Sequence, residues 1–433
     1  MARLNRSRLR SAKKASTKSK QPARPVQDAD GGNDVTSSFP RPVGSNHVGM
    51  REFNERIVLQ AIRLHGALPK ADVARLTRLS TQTASVIING LLRDGLVVKQ
   101  PRVRGRIGQP SVPIALNPDG AFAVGIKVGR RSLDVLAMDF IGNVRYRDVL
   151  EYAYPDPTAI FPTIEKELAK IDAALGKNAD RVVGVGVAAP LWLGGWRDFL
   201  GAPVRVMEQW NGIDIGANIQ AMTKLPVEFA KDTTAACAAE LLVGQGRSLR
   251  NFLYLFIGTF IGGGLVVDGR LHPGPRGNAG AVGSLPVRNG SGHAMQLLHK
   301  ASGLVLEQAL KQSKIPPAAA HDERSMSAKA WPHTSRWLDE ACPALAMTVG
   351  SAAALLDLDA VILDGSMDRR LIAELIGRTD RVLDTYDWEG VSRPPLLPGT
   401  IGADARAMGG AILPLYAHFA PTHELFLKTE TAG

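Results

Sequence analysis

Apolar residues recur at helical spacing three times between Asn54 and Arg93, and then at strand spacing. Over Asn54–His65, a mostly apolar stripe of Ile57, Leu59, Ala61, Ile62 and Leu64 predicts a helix, with Arg56 and Arg63 assigned to solvent and Gly66 as the stop. Pro69 opens a second helix, Pro69–Thr77, because a first turn accepts a residue without an N–H; its stripe is Val73, Ala74 and Leu76. Ser80 is a good N-cap for a third, Ser80–Arg93, which buries Ala84, Ile87, Ile88, Leu91 and Leu92 and ends at Gly95. Leu96–Gln100 and Ser111–Leu116 then predict two strands around a Gly- and Arg-rich loop. Three short helices and a basic hairpin give the pattern of a winged helix-turn-helix over residues 49–118.

Burying that stripe leaves Gln82, Thr83, Ser85, Val86, Asn89 and Arg93 on the outer face of the third helix. None is acidic. Gln and Asn pair with adenine edges, and Val touches a thymine methyl. Arg102, Arg104 and Arg106 alternate along the Gly-kinked loop, which suits phosphate or minor-groove contact. Double-stranded DNA is therefore the expected partner; a protein-binding helix bundle with a solvated basic loop is the alternative. One such helix reads few base pairs, so two copies on a palindrome, and hence a homo-oligomer, are expected.

Charge sharpens the picture. The formal net charge is +11; residues 1–50 carry +7 and residues 51–118 another +7, leaving −3 for the remaining 315. The positive field is confined to the segment expected to meet polyphosphate. A basic membrane patch fits less well, because no amphipathic helix with a large apolar face accompanies it. Residues 1–48 are poor in aromatics and rich in Lys, Arg, Ser, Ala, Pro and Gly, so a disordered basic tail is expected. No signal-like apolar run and no apolar stretch of spanning length appears. Cys237 and Cys342 match no metal spacing and are expected to be reduced core thiols of a cytoplasmic protein.

Residues 119–433 alternate strand and helix patterns, an α/β body. Phe122–Val128, Leu133–Met138 and Asn143–Leu150 predict three antiparallel strands. A helix near 157–175, strands Val182–Ala188 and Pro226–Ala230, and an Ala-rich helix at 233–244 follow. Phe252–Phe256 and Gly264–Asp268 predict a second hairpin. Helices near 293–312 and 335–356, strand Ala360–Asp364 and an Ala/Gly-rich helix near 405–418 complete the series. The two hairpins are alike in layout, one turning through Gly129-Arg130-Arg131 and the other through residues 258–262. Repetition implies two related lobes, about 119–230 plus the C-terminal helix and 231–404, with a ligand cleft between them. Coincidence between two ordinary hairpins is the alternative.

These pieces carry a family resemblance. The matching motifs are Gly105-Arg-Ile-Gly-Gln-Pro110, Gly184-Val-Gly-Val187, Ile257-Gly-Thr-Phe-Ile-Gly-Gly-Gly264, the Gly269–Gly280 run, Ala301-Ser-Gly303 and Gly402-Ala-Asp-Ala405. Over about residues 54–418 the chain resembles the ROK proteins (repressors, open reading frames and sugar kinases), and it carries the N-terminal winged helix of their repressor branch. The resemblance implies an actin/hexokinase-like, ATPase-type body, a sugar or sugar-phosphate effector, and dimers or tetramers. It places the effector cleft at Ala189, Lys231, Asp232, Gly262, Gly263, Asn278, Ala281 and Ser284.

Departures from the family pattern argue against catalysis. Lys127 stands where the kinases have a metal-placing Asp, and Phe260 where they have Gly, so a benzyl group crowds the phosphate turn. Lys231 replaces a sugar-binding Asn, and Ala281 and Ser284 replace the sugar-contacting Glu and His. Asp232 matches the catalytic base, but a base alone contributes roughly 10²–10⁴-fold and cannot offset lost metal and phosphate placement. It is read as vestigial, or as the N-cap of the helix at 233–244. The family's Cys-rich zinc segment is absent, with only His293 in its place. No zinc, ATP or other cofactor is expected. Lys127, Arg130 and Arg131 read as a solvated turn, with anion binding as the alternative. The expected function is a DNA-binding repressor of carbohydrate-related genes with a degenerate sugar-kinase-like sensor; the alternative is an active sugar kinase using Asp232.

Overall fold

A computed structural model describes residues 47–102, 111–195, 197–288 and 293–421. Most of the basic tail, and the loop bearing Arg104, Arg106 and the 105–110 motif, lie outside the described residues. The N-terminal unit contains helices His47–His65, Lys70–Thr77 and Thr81–Arg93, followed by an antiparallel ribbon of Val97–Lys99 and Ile114–Leu116. Leu68 adds a single bridge to Ile114, tying the inter-helix turn to the ribbon. The first helix starts seven residues before the expected Asn54, so the expected tail ends in helix at His47 and Val48.

Arg56 and Arg63 do not face solvent, contrary to the sequence reading. Arg56 Nη1 donates to the carbonyls of Ala417 (3.2 Å) and Ala420 (3.1 Å). Arg63 Nη1 donates to Phe140 O at 3.0 Å, with its guanidinium 4.9 Å from the Phe140 ring centroid. Arg247 reaches back to the carbonyls of Arg63 and Leu64. Val58, Leu59 and Ile62 share one apolar cluster with Met138, Phe140 and Leu415. The head is thus clamped on the body by charge-assisted bonds around an apolar centre. A short periodic segment cannot reveal that the face opposite its own stripe has a second partner.

The body contains two five-stranded sheets of matching order. In the first, Val144–Glu151, Ser132–Asp139, Phe122–Val128, Val182–Ala189 and Val227–Lys231 lie side by side. In the second the order is Arg270–Leu271, Ile261–Val267, Phe252–Ile257, Ala360–Gly365 and Leu396–Pro398. Each begins with an antiparallel hairpin and continues with two parallel strands. The likeness of the two hairpins is therefore architectural and not coincidence. Helix Pro157–Leu175 forms as expected. The helix expected near 293–312 is broken into strand Ala294–Gln296 and helices Leu298–Ala301 and Gly303–Gln312. Ser302 causes the break: it is fully buried and extended, and its hydroxyl accepts the Ile261 N–H at 3.1 Å.

Two helices hold the lobes together. Ala405–Phe419 lies across the first sheet, against helix Asp232–Leu242, which in turn packs on Ile261–Val267. The contacts are backbone to backbone: a Cβ on Gly409 would overlap the Ala235 carbonyl, and one on Gly186 the Gly410 carbonyl. Buried Glu240 accepts the N–H groups of Gln245 and Ile401, 2.9 and 3.1 Å away, fixing the loop that enters the last helix.

Candidate functional site

The outer face of the third helix is built by local chemistry. Ser80 Oγ accepts the Thr83 N–H at 3.0 Å, the expected N-cap. Arg78, in the left-handed region at φ +58°, closes the preceding helix where glycine is usual. Ala84, Ile87, Ile88 and Leu91 are buried, and Leu92 is half-buried. Gln82, Thr83, Val86, Asn89 and Arg93 are exposed, and Ser85 is half-buried. Val86 is 65% exposed, a large apolar side chain projecting beside polar neighbours. Lys70 Nζ donates to Asn89 Oδ1 at 2.9 Å, so the second helix adds a cation to this face that sequence reasoning missed. Arg102 is exposed at the foot of the ribbon.

The second site lies between the lobes. Lys231, Asp232, Gly262, Asn278, Ala281 and Ser284 line a cavity of about 340 Å³. The structure brings these six of the eight expected cleft residues together. Ala189 and Gly263 sit behind the lining: Ala189 is fully buried in register with Lys231, and the Gly263 carbonyl accepts Thr233 Oγ1 at 2.8 Å. Phe260, which the motif at 257–264 already singled out, forms part of the wall, and Trp192 and Arg406 complete it without any sequence motif announcing them. A larger cavity of about 1030 Å³ adjoins it.

Asp232 is the only carboxylate lining the smaller cavity among the described residues. It is the first residue of its helix rather than its N-cap: the cap position is Lys231, whose side chain makes no capping bond. Asp232 Oδ1 accepts the adjacent Thr233 N–H at 2.9 Å, and Oδ2 lies 3.7 Å from Arg406 Nη1. Phe260 stacks on Phe199 at 5.5 Å and carries the Arg130 guanidinium 4.6 Å from its centroid. An aromatic–cation stack thus occupies the turn that follows strand Phe252–Ile257. His293 is exposed just before strand Ala294–Gln296.

The solvated-turn reading of Lys127, Arg130 and Arg131 is corrected. Lys127 is buried and pairs with Asp134 at 2.7 Å, its opposite number across the hairpin. Arg130 donates to Trp192 O at 3.2 Å, and Arg131 to Ala153 O at 2.8 Å. Burial, then repulsion from Arg406, lowers Lys127 to about 8 despite Asp134. Burial lowers Lys231 to about 8 as well, against the pull of Asp232 and Cys237.

This has a pH signature. Between about pH 8 and 10.5 the unfolded chain holds protons at both lysines that the folded chain has released. Their contribution to stability is therefore least favourable below pH 8 and improves as pH rises through that window. Urea unfolding at pH 7.5 and 9.5 should show a smaller gain, or a larger loss, with pH for Lys231→Met than for the unaltered chain. Identical pH dependence would contradict the burial argument.

Comparison with known proteins places this geometry. The ROK family model matches residues 123–415. A xylose repressor of Caldicellulosiruptor bescii is 22% identical over 245 residues, 55% of this chain and 59% of that protein. The xylose repressor of Bacillus subtilis is 22% identical, covering 55% of this chain and 61% of that protein. The chain thus matches about three fifths of the length of these repressors. A transcriptional regulator of Mycobacterium tuberculosis is 28% identical over 342 residues, 75% of this chain and 68% of its own length. Among solved structures, a ROK family transcriptional regulator described as a homologue of the E. coli MLC protein aligns with a TM-score of 0.63. It is 19% identical and spans 86% of this chain and 97% of its own. A Streptomyces griseus ROK glucokinase bound to glucose and AMPPNP aligns at 0.50 and 21% identity, over 68% of this chain and 99% of its own. The two paired sheets, the inter-lobe cavity and the match over residues 123–415 lead to one conclusion: the chain belongs to the ROK family.

Proposed function

We propose that this chain is a DNA-binding transcriptional regulator, a repressor of carbohydrate-related genes. Residues 49–118 act as a winged helix-turn-helix, and the two-lobed body senses a sugar-type effector without phosphorylating it. One observation carries the reading: an exposed, acid-free helix face on Thr81–Arg93, clamped to the body through the first helix. The names of the repressor relatives support it.

The geometry also supplies a route between the sites. Arg406, at the start of the last helix, borders the cavity, and Ala417, near the end of that helix, accepts Arg56 from the head. A ligand that reorients one lobe moves a rod on which the head is seated. It shifts the equilibrium only if it binds the two arrangements with different affinity. Two heads of a cytoplasmic dimer then bind half-sites one or two helical turns apart, and a change in their spacing releases DNA.

Fluorescence anisotropy of the full chain on DNA from upstream of its own gene tests the reading. A sequence-preferring complex that weakens steeply with salt is expected; no such complex there, or in a genome-wide pull-down, would contradict it. A coupled ADP-release assay across common hexoses should show no turnover. Turnover that Asp232→Asn abolishes would establish the kinase instead.

A further inference from the structure

A groove of about 460 Å³ lies at the seam between the N-terminal unit and the body, and it shares no lining residue with the inter-lobe cavities. Its size falls within the range of small-molecule sites, roughly 300–1,000 Å³. One wall comes from the N-terminal unit, with Ile62 from the first helix and Val98 and Leu116 from the ribbon. The other comes from the body, with Ile141, Leu242 and Val243. Ile141, a large apolar side chain, is left 42% exposed there.

Two cations face the groove, one from each side: Arg63 and Arg247. Neither guanidinium is saturated. Among the described residues, Arg63 bonds through Nη1 alone, to the Phe140 carbonyl, and Arg247 through Nη2 alone, to the carbonyls of Arg63 and Leu64. The other N–H groups of each fork are left to a ligand. The carbonyls, which close the first helix, and the Phe140 ring offset part of the charge. No carboxylate lines the groove among the described residues. Three stand close to lining residues in sequence, and each is engaged elsewhere. Asp139 accepts from Arg145, Asn143 and the Ile141 N–H. Asp119 pairs with Arg145 at 2.9 Å, and Glu240 accepts the N–H groups of Gln245 and Ile401. Burial, and then repulsion from Arg247, lower Arg63 to about 10, with no acid acting the other way.

The remaining walls limit what the groove takes. Gln100 is the only other polar side chain lining it among the described residues. A polyhydroxylated compound would leave its hydroxyls without partners, and a bare inorganic anion would leave the apolar walls in water. A planar carboxylate fits the fork of a guanidinium. We propose that the seam groove binds a small organic acid, its carboxylate held between Arg63 and Arg247 and its aromatic or short aliphatic body laid against Val98, Leu116, Ile141 and Val243. The site stands apart from the inter-lobe cleft and from whatever that cleft senses. A ligand gripped from both sides favours the seated arrangement of the N-terminal unit, so occupancy and any event that shifts that unit oppose each other by the same free energy.

Titration calorimetry on the full chain tests it, without DNA, so that its outcome is independent of the regulator reading. The probes are benzoate, phenylacetate and hexanoate, the corresponding alcohols, and inorganic phosphate. At least one acid is expected to bind about tenfold or more tightly than its alcohol, a typical margin for hydrogen bonds to a charged group. Arg247→Gln should weaken that acid about tenfold or more and leave the alcohol nearly unchanged. Arg247 also holds the end of the first helix, so a second variant fills the groove instead: Ala67→Trp, at an exposed lining position, should abolish acid binding by occupying the space. Lys231→Gln, in the inter-lobe cavity, should leave acid binding as it is. An alcohol that binds as tightly as its acid overturns the proposal. So does inorganic phosphate binding as tightly as the acids, no binding by any acid, or acid binding that survives both groove variants or falls with Lys231→Gln.

Discussion

Gly409→Ala should destabilise the protein strongly, while Gly377→Ala should leave it unchanged or slightly more stable. Both glycines lie inside helices, so the intrinsic helix gain, up to about 1 kcal/mol, is the same. Their surroundings decide the sign. A Cβ on Gly377 meets nothing within 4 Å, whereas one on Gly409 overlaps backbone atoms of Ala235 and Ala236. Backbone cannot rotate away as a side chain can, so the last helix must lift off Asp232–Leu242. Overpacking of a core typically costs about 1–3 kcal/mol and occasionally more, against total stabilities of about 5–15 kcal/mol. Gly409→Ala belongs at or above the top of that range, because the displaced helix also seats the N-terminal unit through Ala417 and the adjoining Ala420. Urea unfolding of the three chains measures the difference. Equal midpoints for the two variants would show that the helices are not in backbone contact.

Replacing the reading face should separate two kinds of DNA contact. Gln82→Ala and Asn89→Ala are each expected to lower discrimination between operator and unrelated DNA by about 1–3 kcal/mol, with little change in salt slope. Arg102→Ala should weaken both DNAs alike and flatten the salt dependence by about one unit. Asn89 holds Lys70 through its carbonyl oxygen, so its amide nitrogen is the group left to meet a base. Equal behaviour of the two classes would mean that a different surface reads the sequence.

Local signals were strong in the chain, and long-range ones were silent. The third helix was legible because one stripe, one N-cap and one stop coincide between Ser80 and Gly95. Duplication of the hairpins was legible because each is a contiguous strand–turn–strand unit. Helix Arg369–Leu383 was missed although its signal is present: Asp368 caps it, and Leu371, Ile372, Leu375 and Leu383 form its buried stripe. Burial of Lys127 was also readable in principle. Pairing strands around the turn at 129–131 sets Lys127 opposite Asp134, a charge pair that marks the register. Nothing local could place Arg406 beside Asp232, or Arg56 beneath Ala417, since each pair is brought together only by the last helix crossing the first sheet. Of the site, the motif-bearing residues were foreseeable. Trp192 and Arg406, which set its charge and walls, were not.

The most direct test of the account uses its two native cysteines, Cys237 and Cys342, which are both buried. A Val86→Cys variant then offers one accessible thiol in the middle of the outer helix face. It is to be mixed with operator DNA bearing a disulfide-linked tether on successive bases, alongside a Leu355→Cys control, whose parent side chain is 82% exposed on the body. The account predicts cross-links from position 86 to a few adjacent bases in each half-site, competed away by unlabelled operator, and none from position 355. Cross-linking from the body alone, or from neither position while DNA is bound, would contradict it.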